Sequence, residues 1–271
     1  MPELAEVEYF RTRWDEGLRQ RVSQVLLHGG KRIFRGSDPR AIVRTLCGAA
    51  LLGSETRGKQ IAFRFSKGAW LGVHLGMSGK LRIEPANFLP EKHDHLVLMQ
   101  KRQALVFSDP RMFGRVRFHC GKDAPAWWVA LPPAVTSREF TPARLREILE
   151  RRARAPLKAL LLMQEFFPGI GNWMADEILW QARLHPRTAS GSLDADARRT
   201  LWRTLRKVSR VALQTIGVDW SDPPAGWLIH RRWKKTGLCP RHGTGLEHAT
   251  IGGRTTAWCP RCQPSRPRAQ K

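Results

Sequence analysis

Ile61-Ala62-Phe63-Arg64-Phe65, followed by Leu71-Gly72-Val73-His74-Leu75-Gly76-Met77-Ser78-Gly79-Lys80-Leu81-Arg82-Ile83, alternates large apolar residues with small or polar ones. A period of two is the mark of strands that bury one face. The same pattern recurs at Leu96 to Met99, Ala104 to Phe107 and Val116 to Phe118. From about residue 22 to 120 the chain therefore reads as a β-sandwich or barrel-like domain. Upstream, Leu4, Val7, Phe10, Trp14 and Leu18 recur at near-helical spacing and predict a helix packed on that sheet. Residues 121–137, with Gly121, Pro125, Pro132 and Pro133, read as a linker.

Beyond the linker the period becomes helical. Thr141-Pro142 is a cap followed by proline at the first helical position, and Leu145, Ile148 and Leu149 form the buried stripe. A second helix is expected over about 156–166 and a third through Ile178 and Leu179. A long one should run from Ser192 to about Thr215 on Leu201, Leu205, Val208 and Ala212. Asp219 to Gly226 is turn-rich, and the tail from Pro264 to Lys271 is basic, proline-rich and expected to be disordered.

Lys and Arg number 47 against 23 Asp and Glu, a formal net charge of +24, which points to a polyanionic partner such as nucleic acid. No stretch resembles a transmembrane helix, and the acidic, amphipathic N-terminus is unlike a signal or transit peptide, so a cytoplasmic, nucleoid-associated location is expected. Five cysteines, three of them crowded near the end, speak for a metal site over a disulfide scaffold. Cys239-Pro240-Arg241-His242 and Cys259-Pro260-Arg261-Cys262 make two x2 knuckles around a hairpin at Thr250 to Arg254, the spacing of a closed, structural zinc site. His248 is a rival to His242 as the fourth ligand.

Four further segments carry chemistry. Removal of Met1 would expose the secondary amine of Pro2 beside Glu3. An α-amine ordinarily titrates near about 7.7–8.0, so much of it is free base at neutral pH and able to form an iminium with a sugar carbon. The plainer reading is that proline simply suits the first turn of a helix. Pro168-Gly169-Ile170-Gly171-Asn172 joins two helices and could bring backbone donors to a phosphate, with Lys158 one helix upstream, or be a tight turn with no ligand. His74 to Gly79 and Asp109 to Gly114 place Met77, Arg111 and Phe113 on turns, where they could fill the hole left by an extruded nucleotide or fold back into the core.

Taken together and in this order, these segments resemble the bacterial formamidopyrimidine-DNA glycosylases, within the wider group that includes endonuclease VIII. The resemblance runs nearly end to end, through Pro2-Glu3-Leu4, Glu6-Val7-Glu8, Gly58-Lys59, His74 to Gly79, Lys92-His93-Asp94-His95, Asp109 to Gly114, Gly169 to Asn172 with Ala175-Asp176-Glu177, and the terminal cysteines. It implies an α+β fold: an N-terminal β-sandwich with flanking helices (1–130), a helix–two-turn–helix domain (137–222), a C-terminal zinc-finger β-hairpin (227–265) and a disordered basic tail (266–271), with damaged double-stranded DNA in the cleft between the lobes. It implies a monomeric base-excision-repair glycosylase and abasic-site lyase with one zinc ion and no nucleotide cofactor. Pro2 would be the nucleophile, Glu3 a proton shuttle, Lys59 a phosphate contact that assists the chemistry, and Glu6 part of the lesion site. Met77, Arg111 and Phe113 would fill the void, His93, Lys158, Asn172 and Arg254 would contact DNA, and Cys239, His242, Cys259 and Cys262 would hold zinc.

The chain departs from the family pattern in places. Ala5 stands for the usual proline, and His242 for a zinc cysteine. A lysine usual a few residues before Lys158 is missing, with Arg152 and Arg154 flanking its place. The segment between Ile216 and Cys239 is shorter than the loop that caps a flipped 8-oxoguanine, which favours formamidopyrimidines or oxidised pyrimidines as substrates. A catalytically silent lesion-binding protein of the same fold and an RNA-binding protein are the competing readings. An intact Pro2-Glu3 with Lys59 speaks for the enzyme, because a mere binder needs no terminal amine beside a carboxylate.

Overall fold

The computed structural model describes residues 1–234 and 236–265, so the tail expected to be disordered at 266–271 lies outside the described residues. The chain forms two compact units, Met1–Leu131 and the residues from Pro132 onward.

The first unit is a sandwich of two four-stranded antiparallel sheets. Helix α1 (Leu4–Thr12) leads to β1 (Val22–Leu27), α2 (Pro39–Leu46), β2 (Leu51–Arg57), β3 (Gln60–Phe65), β4 (Ala69–His74), β5 (Lys80–Pro85), β6 (Asp94–Gln100), β7 (Gln103–Ser108) and β8 (Arg115–Cys120). One sheet has the order β1-β6-β7-β5, the other β2-β3-β4-β8. Their apolar faces meet in one core: Leu81, Leu96, Leu98, Leu105 and Phe107 from the first, and Leu51, Ile61, Phe63, Phe65, Leu71, Val73 and Val116 from the second. Every large residue of the alternating stretch through Leu75 is buried as its period requires, and Met77 emerges from the core, 39% exposed.

The first helix is shorter than its apolar stripe. It ends at Thr12, whose hydroxyl donates to the Tyr9 carbonyl, and Trp14 is buried from the following turn with its ring centroid 4.5 Å from that of Phe63. The residues read as a linker contain a helical turn, α3 (Ala126–Val129). Trp128 is fully buried, and a Cβ on Gly72 would lie 2.5 Å from the Trp127 ring, so only glycine lets that indole seat on the sheet's outer face. Arg117 and Arg57 stack over Trp127 and Trp128. The prolines and glycine around this tryptophan pair masked its anchoring role.

The second unit contains α4 (Pro142–Arg151), α5 (Leu157–Leu161), α6 (Asn172–Gln181), α7 (Ala195–Gln214), α8 (Ile216–Asp219) and the hairpin β9 (Glu247–Ile251) and β10 (Arg254–Trp258). Thr141 caps α4 as expected, its hydroxyl accepting from the Arg144 amide. The long helix starts at Ala195 behind an Asp194 cap, later than the serine expected to open it. The helix expected over about 156–166 stops at Leu161, where the Gln164 side chain takes the Leu162 and Ile170 carbonyls. No described helix is long and apolar enough to cross a membrane.

Candidate DNA-repair site

Glu3, 4% exposed, caps α1: its side chain accepts from the Glu6 amide, while the Glu6 carboxylate accepts from the Glu3 amide at 3.1 Å. This reciprocal pair fixes the backbone next to Pro2. Met1, 51% exposed, precedes it in the open. Along the helix, Thr56 donates to Glu8 at 2.6 Å, and Arg11 donates to Ser54 at 2.6 Å. Residues later in α1 thus meet residues earlier in β2, which directs the N-terminus of α1 toward the Gly58-Lys59 turn joining β2 to β3. Lys59 stands in that turn, at one end of the sheet. His74 lies opposite Gln60 there. Burial, then Lys59, Arg117 and Arg35, hold its imidazole down at about 4, so it is neutral, with Nδ1 accepting from the Gly76 amide.

The two turns expected to carry the void-filling residues are joined. Asp109 is fully buried; one carboxylate oxygen accepts from the Ser78 hydroxyl at 2.6 Å and the other from the Gly114 amide at 2.7 Å. The Arg111 amide donates to the Ser78 hydroxyl, and the Asp109 amide donates to the His93 carbonyl. Gly76 has φ +64, and a Cβ there would lie 2.5 Å from the Gly114 nitrogen, so the turns touch through backbone and no other residue fits. Around this joint Met77, Arg111 and Phe113 stand in solvent, with the Arg111 guanidinium 5.0 Å from the Phe113 ring centroid. Met112, 39% exposed with φ +53, is a further apolar residue on the tip. Neither Met112 nor the joining role of Asp109 was read from the sequence. A buried aspartate followed by proline and closed by glycine was the available signal, but its partner Ser78 lies in another turn.

In the second unit Asn172 opens α6 and its side-chain amide donates to the Thr255 carbonyl at 2.9 Å, tying the Gly169-to-Asn172 turn to the hairpin. Lys158 is not a surface cation: it is fully buried, pairs with Asp176 at 2.6 Å and donates to the Asn172 carbonyl at 2.7 Å. Asp176 also accepts from Arg232 and from the Ala257 amide at 3.1 Å. The lysine therefore braces the turn from behind. Arg254, exposed, begins β10. Next to Asp176, Glu177 accepts from Gln181 and from the Ile229 amide, and burial pushes its carboxyl up to about 7.

Cys239, His242, Cys259 and Cys262 bring one ligand atom each to within 4.8 Å of one another, a cluster able to hold a metal ion. His248 lies outside it, its Nε2 at 3.1 Å from the Arg232 carbonyl. Burial and then the neighbouring Cys239 push the Cys262 thiol up to about 11, and a bound cation would reverse that direction, because a metal takes the deprotonated sulfur. The Trp180 indole donates to Cys239, anchoring the cluster to α6.

Residues 1–116 match the model of the formamidopyrimidine-DNA glycosylase N-terminal domain, and residues 131–221 that of the formamidopyrimidine-DNA glycosylase H2TH domain. The chain is 34% identical to the formamidopyrimidine-DNA glycosylase of Roseiflexus sp., an alignment covering 97% of this chain and 100% of the relative. It is also 34% identical to that of Thermus thermophilus, over 97% and 98% of the two chains. Among solved structures it resembles the Lactococcus lactis enzyme bound non-covalently to DNA containing an abasic site, with TM-score 0.85, 26% identity and coverage of 97% and 100%. The complex of the wild-type Lactococcus lactis enzyme with DNA containing an oxidised pyrimidine matches with TM-score 0.86 at the same identity and coverage. This chain belongs to the formamidopyrimidine-DNA glycosylase family.

Proposed function

We propose that this enzyme, a DNA glycosylase for oxidised bases with abasic-site lyase activity, uses Pro2 as its nucleophile. The observation that carries the assignment is the Glu3–Glu6 box, which fixes the backbone beside Pro2 at the start of α1. Once Met1 is removed, the Pro2 nitrogen attacks the anomeric carbon, the glycosidic bond breaks, and the base leaves with a proton. Glu3 moves protons during base loss and ring opening. The iminium so formed draws electrons from the adjoining carbon, whose proton is lost as the strand is cut by β- and then δ-elimination. Glu6 holds the Glu3 amide and lines the lesion site.

Extrusion of the base costs a few kcal/mol, least for a damaged one. Met77, Arg111 and Phe113 offset that cost by filling the stack. Lys59, His93, Asn172 and Arg254 take phosphates, and Lys158 acts behind Asn172. The non-catalytic reading is disfavoured: the full-length relatives at 34% identity are glycosylases, and Pro2, Glu3 and Lys59 are all kept.

The metal is zinc, held by Cys239, His242, Cys259 and Cys262. The Cys239 and Cys262 sulfurs are 3.7 Å apart. Zinc–sulfur bonds of about 2.3 Å in a tetrahedron need an edge of about 3.8 Å. With four protein ligands the ion is structural and supplies folding energy alone. The domain limits 137–222 and 227–265, a monomeric state without nucleotide cofactor, and a cytoplasmic, nucleoid-associated location belong to the same proposal. Between α8 and the first cysteine, Glu177 pins the chain at Ile229, leaving a short span headed by Trp220 to cap a flipped base. Formamidopyrimidines and oxidised pyrimidines are accordingly the preferred substrates over 8-oxoguanine.

Borohydride trapping on abasic-site DNA tests the nucleophile. A covalent adduct is expected at Pro2, lost in Pro2→Gly and in protein with an extended N-terminus. Normal trapping by the blocked protein would reject the assignment.

A further inference from the structure

One cluster of charge in the first unit has no place in the chemistry above. In the sheet β2-β3-β4-β8, His74 pairs with Arg115 and Gly72 with Arg117. Directly paired residues share a face, so His74, Arg115 and Arg117 stand on the outer one, while Leu71, Val73 and Val116 point into the core. Arg35, at the end of a 3-10 turn, joins them: its Nη1 donates to the Gly114 carbonyl at 3.0 Å and the Arg32 carbonyl at 3.1 Å. A Cβ on Gly36 would lie 3.1 Å from Arg115 Nη2, which sets Arg115 against the chain that carries Arg35.

Among the described residues, none of Arg35, Arg115 and Arg117 has an ion pair, and Arg115 Nε is buried with no hydrogen-bond partner. Burial, followed by Arg115, lowers both Arg35 and Arg117. Gathering three guanidiniums without an acid opposes folding, because like charges repel. The arrangement makes sense for an anion that enters from outside, and the planar fork of arginine fits phosphate oxygens two at a time.

We propose that Arg35, Arg115 and Arg117 form a phosphodiester subsite for the DNA backbone, extending the row begun by Lys59. The subsite rests on the reading of the chain as a DNA-binding repair enzyme, but not on Pro2 as its nucleophile. The shared chemistry is a phosphate group; the committed occupant is the backbone of duplex DNA.

The full-length, metal-loaded protein is titrated with an undamaged duplex at a series of salt concentrations, and melted without DNA. In Arg115→Gln and in Arg117→Gln the slope of log affinity against log salt is expected to flatten by about 0.9 per lost contact, roughly 3.5-fold less affinity lost between about 50 and 200 mM. In Arg115→Gln the melting temperature should hold or rise, because a repelling charge has gone; Arg117→Gln also loses its stack on Trp127, so its slope is compared at a temperature well below its own melting point. Arg115→Lys should restore much of the slope. An unchanged slope in both glutamine variants, or a lowered slope that merely follows a lowered melting temperature, would overturn the subsite. So would inorganic phosphate at matched ionic strength raising the melting temperature of the wild type but not of Arg115→Gln while the slopes agree, since free phosphate is then the occupant. Abasic-site trapping by the wild type is scored apart: its failure sinks the Pro2 assignment and leaves the salt slopes to decide the subsite.

Discussion

Asp109→Ala separates base extrusion from chemistry. The carboxylate holds Ser78 at 2.6 Å and the Gly114 amide at 2.7 Å, and among the described residues no other side-chain carboxylate ties the Met77 turn to the Phe113 turn. Hydrogen bonds to a charged group contribute about 1.5–3 kcal/mol each, and an orphaned buried amide costs about 1–3 kcal/mol. Gly114 is buried, so its amide cannot turn to water for a partner. The joined arrangement should lose on the order of 3 kcal/mol, and if extrusion requires it, excision slows roughly a hundredfold at about 1.4 kcal/mol per decade. Asp109→Asn keeps an acceptor for Gly114 and a donor for Ser78, and should lose about a decade or less. The assay compares single-turnover excision from a lesion-bearing duplex with strand cleavage at an abasic site in single-stranded DNA, which has no stack to fill. Duplex excision should fall by the full factor and single-strand cleavage by less than about threefold. Equal losses on both substrates, or wild-type excision from the duplex, would refute the role of Asp109 in holding the wedge.

Asp176→Asn leaves Lys158 and Arg232 buried without their carboxylate, and breaking such a network costs about 3–5 kcal/mol; urea unfolding should show the lost stability, with part of it returned by adding Lys158→Met. Glu177 titrates near 7 in the fold against 4.5 ordinarily. The folded state therefore binds the extra proton between those values, and its contribution is complete below about pH 4.5 and lost as pH rises through 7. Glu177→Gln should remove that loss, at most about 3 kcal/mol, and a thermal melt that keeps the wild-type pH profile would count against it. For the metal, zinc measured per chain should be near one, lowered by His242→Ala and unaffected by His248→Ala; the reverse pattern would move the ligand to His248.

Local periodicity revealed what depends on near neighbours. The strand alternation around Ile61 to Ile83 and the Thr141-Pro142 cap are local rules, and the structure follows both. The x2 knuckles behave likewise, because each needs only a turn of backbone. The sequence could not show pairs made through space. Lys158 reads as a surface cation until its partner, 18 residues on and across a turn, buries it. Nor could spacing separate His242 from His248: the structure brings His242 Nε2 to 3.2 Å from the Cys262 sulfur, and sets His248, on β9, against the Arg232 carbonyl. The Trp127-Trp128 anchor was hidden because its partner, Gly72, is a residue with no side chain to signal it.

The acids show how a chain with twice as many cations as carboxylates still organises itself. Glu3, Asp94, Asp109, Asp176 and Glu177 are all buried, and each accepts from a backbone amide. A carboxylate can be buried only with such donors. Four of these hold a segment that carries a proposed contact: Glu3 the terminus, Asp94 and Asp109 the flanks of His93 and the wedge turns, Asp176 the Asn172 turn and β10. Buried in this way, a carboxylate orders a loop without facing the phosphates that the loop is to meet. An exposed acid near them would repel DNA, and the exposed Asp196 pairs only with Arg199 on α7. Net charge alone would rank all 23 acids as equal opponents of binding. Their placement argues that neutralising Glu3, Asp94, Asp109 or Asp176 weakens DNA binding through disorder, although each change makes the protein more positive.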